Sequence, residues 1–135
     1  DDVHIQPVNP SMIVIDDDPD MANLISFTAQ SLGIDVRIAT NARVFMELYD
    51  KNEPSIIVMD VVIPDMDGIE LLGWLTDKNC VAPIILMSGY GEKYIKPASH
   101  IASAKGIAIV GELTKPFQIE DLKTLLRNVL AAQQA

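Results

Sequence analysis

Asp16, Asp17 and Asp18 directly follow the apolar run at 12–15, and Asp60 directly follows the apolar run at 56–59. Charge at the end of such a run is costly unless it is paired or bound to a cation. Carboxylates forced together repel, and one keeps its proton unless a counter-ion sits among them. Hard oxygen donors with no His or Cys beside them suit magnesium, which prefers octahedral oxygen coordination and keeps several waters. Ser88 follows the run at 84–87, and Lys115-Pro116 comes after the run at 107–110. A cation, a carboxylate, a hydroxyl and an ammonium are the parts of phosphoryl transfer to a carboxylate. Cation and ammonium neutralise the phosphoryl oxygens, and aspartate is an accepted nucleophile. The nucleophile needs no general base, being ionised already at neutral pH. Taken alone, Asp18 before Pro19 is a helix cap and Ser88 an ordinary turn residue; only the constellation raises them above that.

These residues do chemistry together only if the chain brings them to one place. Five apolar runs, at 12–15, 34–39, 56–59, 84–87 and 107–110, are mostly rich in Ile and Val. Three are unbroken, as expected of strands buried on both faces of a parallel sheet. Their starts lie 22 to 28 residues apart, enough for a crossover helix and too far for a hairpin. The intervals carry helical patterns. Asp18 and Pro19 open a helix with Met21, Leu24, Ile25, Thr28 and Leu32, ended by Gly33. Asn41 caps a second, with Val44, Phe45 and Leu48, and a third starts near Asp67. Pro97 predicts that the fourth begins only near Lys96, with Gly106 ending it. The last runs from about Ile119, with Leu122, Leu125, Leu126, Val129 and Leu130 on one face. This alternation predicts a (βα)5 α/β domain, and right-handed crossovers make its sheet doubly wound. Ligands of such sheets bind beyond the carboxyl ends of the strands, where Asp16, Asp17, Asp60, Ser88 and Lys115 would stand.

Composition bounds the rest. A chain of 135 residues, 49% of them hydrophobic, is one domain with a core. Residues 1–10 read as a polar lead-in, 11–132 as the domain and 133–135 as a tail or the start of a linker. A net charge of −9 argues against nucleic-acid binding by this domain and against adhesion to anionic membranes. The single cysteine, Cys80, excludes an internal disulfide and a Cys-based zinc site. The lead-in has no signal-peptide pattern and no run reaches membrane-helix length, so the expected location is the cytoplasm.

Four segments in order carry a specific resemblance: Ile13-Val14-Ile15-Asp16-Asp17-Asp18, then 57–68 with Asp60 and Pro64-Asp65-Met66-Asp67-Gly68, then Ile84-Ile85-Leu86-Met87-Ser88-Gly89, then Leu113-Thr114-Lys115-Pro116-Phe117. The chain resembles a response-regulator receiver domain of two-component signalling over nearly its whole length. The resemblance implies a flavodoxin-like (CheY-like) five-stranded parallel sheet of order 2-1-3-4-5. It implies Asp60 as phosphoacceptor. Asp17, Asp60 and the Val62 main-chain carbonyl would ligate magnesium, for which manganese can substitute, and Asp16 would hold a metal-bound water. Lys115 would pair with the phosphoryl group or, beforehand, with Asp60, and Ser88 would bond a phosphoryl oxygen. The Lys115–Pro116 bond is expected to be cis, and Gly68 to allow a backbone turn after Asp67. Asp65 and Asp67 carry no assigned chemistry.

Val62 and Tyr90 match positions that flank the path of attacking water, so slow self-dephosphorylation is expected. Glu112 stands where many receivers carry the Tyr or Phe of a rotameric switch; coupling through Tyr90 or Tyr94 is the expected substitute. Implied partners are a sensor histidine kinase or histidine phosphotransfer protein, an output domain or downstream protein reached through the fourth helix, fifth strand and last helix, and a phosphorylation-dependent homodimer. Two other readings compete. A haloacid-dehalogenase-like phosphatase would use Asp16-x-Asp18, but the chain has no cap insertion to select a substrate. A phosphorylation-independent receiver-fold interaction module would not need every charged site residue.

Overall fold

The computed structural model describes residues 9–134; residues 1–8, which include most of the expected lead-in, and residue 135 lie outside the described residues. The elements alternate strictly: β1 (Ser11–Ile15), α1 (Pro19–Ser31), β2 (Asp35–Ala39), α2 (Ala42–Lys51), β3 (Ile56–Asp60), α3 (Gly68–Asp77), β4 (Ile84–Ser88), α4 (Glu92–Ala104), β5 (Ile109–Thr114) and α5 (Ile119–Gln134). The strands form one sheet of order β2-β1-β3-β4-β5, and every pairing is parallel. This is the flavodoxin-like receiver fold expected from the sequence. The helix α5 takes in Gln133 and Gln134, which the sequence pattern leaves in the tail.

Side-chain alternation splits the core into two layers. Ile13, Ile15, Ile57, Met59, Ile84 and Leu86 face α2, α3 and α4, whose contributions include Phe45, Leu71, Leu75, Ile95 and Ala102. Met12, Val14, Ile56, Val58, Ile85 and Met87 face α1 and α5, against Ile25, Ala29, Leu122, Leu126 and Val129. The central strands are therefore apolar on both faces, which is why their sequences run unbroken. Each of α1, α2 and α3 starts on a side-chain cap, from Asp18, Asn41 and Asp67 respectively.

Two expectations need correction. Helix α4 begins at Glu92, not near Lys96, and carries Pro97 inside it. Pro97 removes one N–H, which would have bonded the Lys93 carbonyl. Both residues are exposed, so water can serve that carbonyl and the break is tolerated. The fifth strand is Ile109–Thr114 rather than the apolar run at 107–110. The register slips between Ile84 and Ile85, and backbone pairing then continues through Gly111 and Glu112. A sheet-edge strand is held by its ladder and need not stay apolar, so its sequence hides its length.

Gly68 matters for space rather than for an unusual backbone angle. A Cβ there would stand 2.5 Å from the Val61 carbonyl oxygen, a backbone atom that cannot swing aside. Gly73, within the same helix, would meet nothing nearer than the Lys105 Nζ at 3.8 Å. Gly68→Ala should cost about 1–3 kcal/mol as an overpacked contact, whereas Gly73→Ala should stabilise by up to about 1 kcal/mol. Urea unfolding of the two variants checks this; equal effects at the two sites would contradict the packing argument.

Candidate functional site

The parallel register carries four of the expected residues to one edge of the sheet. Asp16 follows β1 and donates its N–H to the Ala39 carbonyl at the end of β2, at 3.1 Å. Asp60 and Ser88 end β3 and β4. Lys115 follows β5, and its N–H donates to the Ser88 carbonyl at 2.8 Å. The Lys115–Pro116 peptide is cis.

The Lys115 Nζ donates to Asp16 Oδ2 and to Asp60 Oδ2, each at 2.7 Å. The opposite oxygens are also engaged: Asp16 Oδ1 accepts from the Asp18 N–H, and Asp60 Oδ1 from the Val62 N–H, both at 2.9 Å. Asp16 is fully buried and Asp60 nearly so. Burial pushes the Asp16 carboxyl above its ordinary range, against the hydrogen bond from Lys115. Burial also works against the Lys115 ammonium, but the bonds from Asp16 and Asp60 outweigh it and hold the lysine above its ordinary value. Asp17 is exposed at the mouth, and oxygens of Asp16, Asp17 and Asp60 all lie within 4.8 Å of one another. Three carboxylates in one open cluster, with no nitrogen or sulfur donor, form a set that fits a hard divalent cation.

The remaining residues fall around this centre. Val62 donates its N–H to Asp60 Oδ1 and forms an isolated bridge with Asp67. Ser88 is fully buried, and its Oγ accepts from the Tyr90 N–H at 3.0 Å. The Tyr90 ring is exposed and lies 5.5 Å from that of Tyr94 on α4. Glu112 does not enter the acidic cluster. It reaches out from β5 to the Lys96 Nζ on α4 at 2.9 Å, where that ammonium holds its carboxyl below the usual range. Three contacts escape sequence reasoning: the Asp16–Lys115 pair, the Glu112–Lys96 pair and the bonding of Asp65 to α2. All three join residues at least 16 positions apart in sequence, and no local pattern marks any of them.

The chain matches the response regulator receiver domain model over residues 12–127. It belongs to that family. It is 26% identical over 119 residues to the transcriptional regulatory protein TrcR of Mycobacterium tuberculosis, a match covering 88% of this chain and 44% of TrcR. The chain thus spans less than half the length of that relative. Among solved structures it is similar to the Francisella response regulator 1452 receiver domain, with 30% identity, a TM-score of 0.77, and coverage of 93% of this chain and 99% of that one. It is likewise similar to the chemotaxis response regulator CheY4 of Vibrio cholerae, with 25% identity, a TM-score of 0.76, and coverage of 90% and 99%. No helix among the described residues is long and apolar enough to cross a membrane.

Lys115 is the only cation bonded to the two buried carboxylates among the described residues, so its removal has a pH signature. Without it, the already raised Asp16 carboxyl rises further. A carboxyl whose folded value is raised loses stability as pH climbs through that value. Lys115→Ala should therefore cost about 3 kcal/mol at pH 8, in line with breaking a buried pair, and clearly less at pH 5. Chemical denaturation at the two pH values checks this; equal losses would contradict it.

Proposed function

We propose that this receiver domain is a magnesium-dependent phosphoacceptor, with Asp60 taking the phosphoryl group from a histidine kinase or phosphotransfer protein. The observation that carries the reading is the Asp60 carboxylate, buried beside Asp16 and Asp17 and already bonded to Lys115. Asp17, Asp60 and the Val62 carbonyl would hold magnesium, with Asp16 on a bound water. The cation, when bound, neutralises phosphoryl charge. An Asp60 oxygen attacks phosphorus, forming the acyl phosphate while the N–P bond of the donor breaks and its electron pair leaves on the imidazole nitrogen. Lys115, with ammonium protons to spare, passes from Asp60 oxygen to phosphoryl oxygen. Ser88 Oγ accepts from Tyr90 and keeps its own proton free to donate to the phosphoryl group.

The dehalogenase-like alternative requires Asp16 as nucleophile. Bonding does not separate the two acids, since Asp16 and Asp60 each accept one backbone N–H and one Lys115 bond. That alternative would draw its remaining metal ligands from acids after Lys115, and Glu120 and Asp121, on the first turn of α5, stand outside the cluster of Asp16, Asp17 and Asp60. The output surface in this reading is α4, β5 and α5, where the Lys96–Glu112 pair and the Tyr90–Tyr94 contact lie. A cationic patch on the kinase or phosphotransfer partner would be drawn to the acidic mouth, and the cytoplasm is the compartment that supplies such partners.

Acetyl phosphate or beryllofluoride with magnesium should modify the wild-type protein and spare Asp60→Asn; equal modification of both would overturn the assignment. The apolar Val62 and the bulky Tyr90 beside the site predict a long-lived phosphoryl group. Val62→Asn should speed hydrolysis about fivefold, equivalent to about 1 kcal/mol in the barrier. Loss of labelled phosphate over time measures it, and slower hydrolysis in the variant would contradict the screening role.

A further inference from the structure

Asp65 has no part in the chemistry just described, yet it bonds the loop after β3 to the start of α2. Its Oδ1 accepts from the Ala42 N–H at 2.8 Å and its Oδ2 from the Arg43 N–H at 3.2 Å. Those are two of the N–H groups that open α2 and have no partner within the helix. Asn41 serves the next, its side chain accepting from the Val44 N–H at 2.9 Å. The bond from Ala42 holds the Asp65 carboxyl below its ordinary range, and the helix dipole favours a carboxylate at this end.

The consequence is a closed ring around the acidic cluster. The Asp16 N–H bonds the Ala39 carbonyl, and the chain runs from Ala39 to Ala42. Ala42 and Arg43 bond Asp65, and the chain runs back through Pro64 and Ile63 to Val62. The Val62 N–H bonds Asp60, and Lys115 closes the ring between Asp60 and Asp16. The other backbone and side-chain bonds of this loop lead elsewhere: the Val61 N–H bonds the Met87 carbonyl on β4 at 2.9 Å, the Val62–Asp67 bridge is internal, and the Asp67 cap on Ile69 leads to α3. Ile63 adds apolar burial in the core layer that includes Ala42. Among the described residues, Asp65 makes the side-chain bonds that hold the loop to the α2 side.

We propose that Asp65 is a positioning residue for the cation site: it anchors the loop after β3 on the start of α2 and so fixes the Val62 main-chain carbonyl relative to Asp17 and Asp60. The inference rests on the magnesium reading above. Asp65 keeps its own charge on the helix end and stays out of the cluster of Asp16, Asp17 and Asp60.

Titration of the full chain with magnesium chloride alone, followed by amide NMR shifts and without any phosphodonor, tests this. Asp65→Ala should raise the magnesium dissociation constant about three- to tenfold, at or below the range seen for outer-shell partners of metal ligands. Asp65→Asn, which keeps one acceptor oxygen, should fall between Asp65→Ala and wild type. Asn41→Ala removes a cap from the same helix without releasing the loop. It should lower thermal stability while leaving the magnesium constant within about twofold of wild type. An unchanged constant in Asp65→Ala, or an equal rise in Asn41→Ala, would overturn the positioning role and leave the phosphoacceptor reading standing. Failure of wild type to bind magnesium at all would overturn both.

Discussion

The site depends on one ammonium shared by two buried carboxylates. Lys115 lies 99 residues from Asp16 and 55 from Asp60 in sequence, yet it bonds both at 2.7 Å. Two carboxylates could not both stay ionised in that position without a cation, because burial and mutual repulsion each favour the proton. The lysine opposes both effects, though burial still holds the Asp16 carboxyl above its ordinary range. It also sets an ammonium beside Asp60, where more negative charge can be met. Such a pair is a weak source of net stability, since desolvation offsets much of its attraction. Its value here is positional: it holds Asp60, Asp16 and Lys115 in one arrangement.

The rest of the fold serves that arrangement. Parallel pairing brings every strand's carboxyl end to the same edge, and apolar packing on both faces keeps the central strands from shifting. Loops that cross this edge are tied by caps and by backbone bonds, and the loop after β3 also buries Val61 and Ile63 in the core. The face of α4 and β5 is held more loosely. Glu112 and Lys96 form a largely solvent-facing ion pair, of a kind worth at most about 1 kcal/mol. Helix α4 has a glycine N-cap without a side-chain bond and a proline inside it. Ile95, Ala98 and Ala102 nonetheless bury the inner side of α4 in the core, so it is the exposed side of the helix that is loosely tied.

The sheet and the site edge were legible because central parallel strands announce themselves as unbroken apolar runs, and each ends on a charged or hydroxyl residue. Asp16, Asp60 and Ser88 are of this kind. What could not be read lies where backbone rather than side chain decides. The fifth strand passes through Gly111 and Glu112, held by its ladder after a register slip, so its apolar run marks only the beginning. Pro97 reads as a barrier to a helix, but at an exposed turn it costs a single bond. Gly68 was legible as necessary, though its reason is the nearby Val61 carbonyl, which no local pattern encodes. Asp65 looks like a turn residue and is one; that its carboxylate reaches α2 requires knowing which loops face each other.

Part of the net charge of −9 has a definite location. Three acids form the cluster at the sheet edge, and Asp65 and Glu112 are each committed to a structural partner. The most direct measurement is chemical trapping of the acceptor. The protein is phosphorylated with a small phosphodonor and magnesium, reduced with borohydride, which converts an aspartyl phosphate to homoserine, and mapped by peptide mass spectrometry. The account predicts homoserine at position 60 alone. Homoserine at position 16 or 17, or none at all, would contradict it.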